Sequence, residues 1–152
     1  MIIRYITFLL LIFTLSCGYK AVNNLESFNF AISKYELSGD KKINYILDRN
    51  FKRFQSNKNN EINYKILAES KKNISALSKD IAGKILSYNI EIIIKLEIFR
   101  DQKLVDDISF KKNTNYDNLS SKFEHKQYEN ILLKDLVEEI TIDINNHISS
   151  LR

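Results

Sequence analysis

The sequence has no proline and no tryptophan, three glycines (Gly18, Gly39 and Gly83) and a single cysteine, Cys17. Glycines this scattered cannot form a phosphate-cradling loop or the G-x-S-x-G elbow of a serine hydrolase. One cysteine closes no internal disulfide, and Cys/His spacing of the kind that holds a metal is absent. The thiol is therefore shared between chains, free, or modified. The missing proline and tryptophan accompany heavy use of Ile, Asn and Lys, a bias that reflects an A+T-rich coding sequence more than a function.

What is present suffices for one domain. The chain has 152 residues, of which 44% are hydrophobic and 28% charged, so a packed core is affordable and wholesale disorder is not expected. The net charge of +4 suits an anionic surface. Acidic residues are interspersed throughout, so nucleic acid is not implied as a partner.

The lone cysteine gains a meaning from its position. Arg4 supplies a short positive region, and residues 5–15 form an uncharged, largely apolar run. As a helix that run rises roughly 16 Å, about half the thickness of a hydrocarbon core. This is the length of a signal-peptide core, too short for a transmembrane span. Ser16 then offers the small residue a peptidase needs, directly before Cys17. Phe13-Thr14-Leu15-Ser16-Cys17 resembles the lipobox of bacterial lipoproteins, with Leu15 and Thr14 in the looser form of the motif. In that class the thiol receives a diacylglycerol and the chain is cut before the cysteine. Two or three acyl chains on one residue anchor firmly where a single chain binds only marginally. Gly18 stands where lipoproteins retained in the inner membrane usually carry Asp, which points to outer-membrane sorting. The expected organisation is a signal peptide over 1–16, a lipidated tether over 17–26 and a single domain over 27–152.

Within that domain, Phe28, Phe30 and Ile32 alternate with Asn29, Ala31 and Ser33, the period of a half-buried strand. Ser38-Gly39-Asp40 breaks it, and Asp40 is a good N-cap. Ile43, Leu47, Phe51 and Phe54 follow at helical spacing. Ile62, Tyr64 and Ile66 restart the alternation, whereas residues 70–84 carry no clear period, and Gly83 suggests a turn or bulge there. The clearest element places Leu86, Tyr88, Ile90, Ile92, Ile94, Leu96 and Ile98 on one strand face, opposite Glu91, Lys95 and Glu97. Arg100-Asp101-Gln102-Lys103 is a hairpin connection without glycine, and Leu104, Ile108 and Phe110 pattern the return strand. Ser121 and Glu124 have capping-box spacing. Leu133, Leu136, Val137, Ile140, Ile144, Ile148 and Leu151 repeat at steps of three and four, so the chain closes on a long helix; 140–144 alone also fits a strand. Two amphipathic helices and one sheet with a single apolar face pack as an α+β two-layer sandwich. Both helices lie on one face of a mostly antiparallel sheet of about four strands.

Catalytic groupings are not evident. His125 and His147 stand alone in the sequence and are expected to be solvated or at the edge of the core. Asp106-Asp107 and Glu138-Glu139 are adjacent pairs whose members point apart and are expected on solvated faces. No enzyme activity, metal or cofactor is expected.

Ser87-Tyr88-Asn89 opens the long strand, Phe99-Arg100-Asp101 sits at its hairpin, and Asn115-Tyr116-Asp117-Asn118 ends the return strand. With the closing helix over 127–151 and Cys17-Gly18-Tyr19 after the lipobox, the chain resembles the LPS-assembly lipoprotein (LptE) family. The similarity spans residues 17–151 and is one of element order, spacing and aromatic positions. It implies two helices against four strands. It also implies a periplasmic-side outer-membrane lipoprotein that plugs the β-barrel LPS-assembly protein, helps it assemble and binds lipopolysaccharide. Basic groups are implied near the entrance to the long strand and the start of the closing helix, where this chain has Lys79, Lys84, Lys122 and Lys126. Two other classes fit the anchor: an accessory lipoprotein of an ABC-type lipid transporter, and a structural lipoprotein of the periplasm.

The mature chain is expected to begin at Cys17 and to carry thioether-linked diacylglycerol, which mass spectrometry of the intact N-terminus checks. A free thiol or another mature start would refute this. Cys17→Ser is expected to leave the protein uncleaved or released while the domain still folds.

Overall fold

The structure, a computed structural model, describes residues 30–55 and 62–151; the signal segment, the tether and Cys17 lie outside them. The chain runs through strand β1 (Ala31–Gly39), helix α1 (Lys41–Gln55), strands β2 (Asn63–Lys79), β3 (Ile85–Arg100) and β4 (Lys103–Asp117), and helix α2 (Lys122–Ser150). The sheet order is β1-β2-β3-β4. The pairs β2–β3 and β3–β4 are antiparallel and β1–β2 is parallel, so α1 is the crossover that a parallel pair requires. Both helices cover the same face, giving the expected two-layer α+β sandwich.

The core is the inward face of β3 beneath the two helical stripes. Ile90, Ile92, Ile94, Leu96 and Ile98 are all fully buried. From α1 they meet Ile43, Leu47, Phe51 and Phe54, and from α2 Leu133, Val137, Ile140, Ile144 and Ile148. Phe30, directly before β1, stacks on Phe54 at 4.8 Å.

Local signals set the corners. Asp40 caps α1, its carboxylate accepting from the backbone N–H groups of Lys42 at 2.8 Å and Ile43 at 3.2 Å. Gly39 has φ +96°, and a Cβ there would stand 1.9 Å from the Ser70 carbonyl oxygen, so only glycine fits the passage from β1 to α1. Ser70 is buried and donates to Asn44 at 2.7 Å, fixing this corner onto β2. At the other helix, Ser121 accepts from the Glu124 N–H at 3.4 Å, as the capping spacing predicts.

Two bulges alter the strand phases read from the sequence. In β1 the register shifts at Ser33, so Ile32 is inward but the next inward residues are Tyr35 and Leu37. Lys34 and Glu36 turn outward and pair at 2.9 Å. In β4, Ile98 faces Asp106 while Phe99 faces Leu104, which leaves Val105 as the extra residue. Leu104 therefore does not join Ile108 and Phe110 in the core but is 54% exposed. The β3–β4 turn forms without glycine because Asp101 (φ 50°) and Gln102 (φ 65°) both adopt left-handed backbone, as a two-residue hairpin of primed type demands.

Residues 70–84, without pattern in the sequence, are the distal half of β2 and its turn. Beyond the Gly39–Ser70 pairing β2 has only β3 as a neighbour. Ile74 and Leu77 stay exposed at 40% and 55%, so no buried face imposed an alternation. The Asp80 carboxylate organises the turn by accepting from the N–H groups of Ala82 and Lys84, both at 2.9 Å, while Gly83 takes φ +83°.

On the uncovered face, Lys95 pairs with Asp107 at 3.2 Å and Glu97 at 3.8 Å, and Lys111 pairs with Glu91. Exposed pairs of this kind contribute little stability individually. Their neighbours Ile92 and Ile94 are fully buried. Ile94→Ala is expected to cost about 2–5 kcal/mol, the usual range for such a truncation. Lys95→Ala is expected to cost far less. Urea unfolding of the two variants is the check, and equal effects would show that the two faces contribute alike.

Candidate functional site

Four segments distant in sequence meet at one end of the sandwich. The pairing of Lys79 with Ile85 and of Ser87 with Asp117 brings the β2–β3 turn beside the end of β4. Asn118 then ties the β4–α2 connection to the start of β3. Its backbone N–H donates to the Leu86 carbonyl at 2.8 Å and its side chain to the Ile85 carbonyl at 2.9 Å. This closure places Lys79 and Lys84 of the turn at the same end as Lys122 and Lys126 of α2, all four exposed. Among the described residues Lys79, Lys84 and Lys122 form no ion pair, whereas Lys126 binds Glu129 at 3.1 Å.

The same end carries apolar side chains that the core does not take up. Ile81 is fully exposed, Phe123 is 70% exposed, and Leu86 and Tyr128 are about half exposed. A cleft of about 460 Å³ lies here, lined by Leu77, Tyr116, Leu119 and Tyr128 with Ser87, Asn115 and Asp117. Positive charge and exposed apolar surface thus lie side by side at this end, whereas the other sheet surface is laced with ion pairs.

Beneath it sits a buried polar group that sequence reasoning missed. Glu129, only 5% exposed, accepts from Lys72 at 3.1 Å and from Lys126 at 3.1 and 3.3 Å. Burial alone would raise its pKa, but the two ammonium groups outweigh that and hold it below the ordinary carboxylate value. Next to it Tyr88 and Tyr116 stack at 5.6 Å, and His125 contacts both rings at 5.2 and 5.4 Å. The Tyr116 hydroxyl and the His125 Nδ1 are buried without a hydrogen-bond partner among the described residues. Burial, with the Glu129 charge adding to it, raises the Tyr116 pKa. One sequence signal did exist: Glu129 stands four residues before Leu133, on the apolar stripe of α2.

The other histidine and its partner lie at the opposite end. His147 Nε2 is 2.5 Å from Asp106, and its ring meets Phe110 at 5.8 Å. Asp106 is thus not on a solvated face, because the β4 bulge turns it inward toward α2; Asp107 points out to Lys95. This pair fastens the last turns of α2 to β4, a core-edge role. Cys17 lies outside the described residues.

No protein-family model matches the sequence, and none of the curated proteins does. Solved structures share the architecture. The rare lipoprotein B of Shewanella oneidensis superposes with a TM-score of 0.59 at 13% identity, covering 77% of this chain and 94% of that one. Lipoprotein B of Nitrosomonas europaea gives 0.53 at 14% identity, covering 81% and 86%. The fold is one that bacterial lipoproteins adopt. A minor lipoprotein of Acinetobacter baumannii gives 0.50 at 17% identity, covering 76% and 92%. At these identities the shared property is the fold. Among the described residues no helix is long and apolar enough to cross a membrane.

Folding lowers the Glu129 pKa from its ordinary 4.5, so its ion pairs stabilise the fold fully above that pH and are lost as the pH falls through the folded value. Urea midpoints of the wild type and Glu129→Gln are expected to differ most near neutral pH and to converge as the pH falls below the ordinary carboxylate value. Curves that stay parallel across this range would show that the charge on Glu129 contributes no stability.

Proposed function

We propose that this chain is an outer-membrane lipoprotein, anchored through Cys17 on the periplasmic side, that plugs and helps assemble the β-barrel lipopolysaccharide translocon and binds lipopolysaccharide for insertion into the outer leaflet. The role is one of binding and assembly, without catalysis. The observation that carries the reading is the convergence of Lys79, Lys84, Lys122 and Lys126 with exposed Ile81, Leu86 and Phe123 at one end of the sandwich. Lipid A offers the matching chemistry: phosphates for the ammonium groups and acyl chains for the apolar surface. The lipobox and a fold shared with solved bacterial lipoproteins support the anchor.

The geometry also supports a ligand delivered to the protein. Because β1 runs parallel to β2, the chain enters the domain from the tether at the end opposite the lysines. A strand the length of β2 spans roughly 55 Å. The stretch from Cys17 to Phe30 reaches at most about 47 Å. In an upright domain the basic end therefore stands clear of the leaflet that holds the anchor.

Pull-down from detergent-solubilised membranes tests the partner. Capture of an outer-membrane barrel is the expected result. Capture of transporter subunits would replace this reading with that of an ABC-transporter accessory, and capture of neither with a structural lipoprotein. For the ligand, replacing Lys79, Lys84, Lys122 and Lys126 together by Ser is expected to lower lipopolysaccharide binding, with unchanged circular dichroism and unchanged barrel capture. Each exposed contact is weak and salt-screened, so the loss should be largest at low ionic strength. Unchanged binding at moderate salt would discard the patch.

A further inference from the structure

Glu129 occupies a position where an apolar residue would pack without cost. It lies on the buried stripe of α2, its side chain is 7% exposed, and it is held by two lysines of unequal accessibility. Lys72, on β2, is 20% exposed; Lys126, one turn before Glu129, is 58% exposed. Two ammonium groups around one carboxylate leave a net positive charge in the electrostatic neighbourhood of Tyr116, which lines the cleft. Burying such a charge cluster is a weak source of stability compared with a hydrophobic replacement of similar size.

We propose that Glu129 is an internal counter-anion that sets the threshold for ligand binding: it occupies Lys72 and Lys126 until the phosphomonoester of an anionic glycolipid displaces it. This rests on the reading of the basic end as a glycolipid site. A phosphomonoester carries close to two negative charges at neutral pH and three acceptor oxygens, and so competes well with a single carboxylate. A phosphodiester headgroup, with one charge, competes poorly. The carboxylate lowers the affinity for every anion by the same factor, so it sets a threshold that the stronger phosphomonoester passes and the weaker phosphodiester does not. The unpaired Tyr116 hydroxyl and His125 Nδ1 are further buried groups, beside the Glu129 cluster, that still lack partners. Tyr116 responds to the Glu129 charge, which places the two in one electrostatic environment.

The test compares the acylated full-length protein with Glu129→Gln for binding to micelles of diphosphoryl lipid A and of phosphatidylglycerol. Wild type is expected to bind lipid A more tightly than phosphatidylglycerol, and Glu129→Gln to bind both about tenfold more tightly, roughly the effect of one charged contact. An affinity for lipid A unchanged in the variant overturns the proposal but leaves the site itself standing. Failure of the wild type to bind lipid A at all overturns both. A second readout needs no variant: the side-chain carboxyl carbon resonance of Glu129 is expected to shift as lipid A saturates the wild type. A resonance that stays fixed at saturation overturns the displacement even if Glu129→Gln fails to fold.

Discussion

Burial of the inward face of β3 is the constraint from which the remaining architecture follows. Five aliphatic side chains, Ile90 to Ile98 at alternate positions, are withdrawn from water completely, each contributing on the order of 1.5–3 kcal/mol. No single helix is wide enough to cover a strand this long together with its neighbours. Two helices are needed, and both must lie on the same side because β3 is apolar on one face only. The crossover through α1 places the first of them and forces β1 parallel to β2. The second follows β4 and closes the layer.

Covering one face leaves the other bare, and the chain treats it as a polar surface. Glu97 and Asp107 face each other across β3 and β4, and Lys95 pairs with both, while Lys111 pairs with Glu91, so the like charges are compensated by neighbouring lysines. The edge strands are interrupted by bulges at Ser33 and Val105, which twist them away from regular pairing. Exposed apolar side chains are instead concentrated where the β2–β3 hairpin runs past the end of β1.

That overhang shapes the proposed site. β1 and α1 stop at the corner locked by Gly39 and Ser70, while β2 continues for nine residues more, to Lys79. The extra length has neither β1 beside it nor α1 above it. Side chains such as Ile74 and Leu77, which a complete sandwich would bury, remain accessible, and Lys72 reaches α2 through the uncovered space to meet Glu129. A site with both apolar surface and buried charge is less stable than a filled core. The price is borne by the well-packed half of the molecule around Phe30, Phe51 and Phe54.

The sequence by itself determined the elements whose residues feel one buried face along their whole length. The period of two in β3, the helical spacing in α1 and α2, and the caps at Asp40 and Ser121 were legible because each signal is local and repeats over several residues. The resemblance of residues 13–17 to a lipobox is local too. Tertiary structure decided what depends on neighbours distant in the chain. The bulges that redirect Leu104 and Asp106 arise from pairing with β3. The strand over residues 70–79 has no period because no layer covers it. The four lysines could be named from a family resemblance, but their arrival at one end required the Asn118 closure. Glu129 sits at helical spacing from Leu133, but its burial is explained only by Lys72, 57 positions away and 3.1 Å from it. A charge on an apolar stripe is interpretable only through its partner, and a partner across the sheet leaves no trace in local spacing.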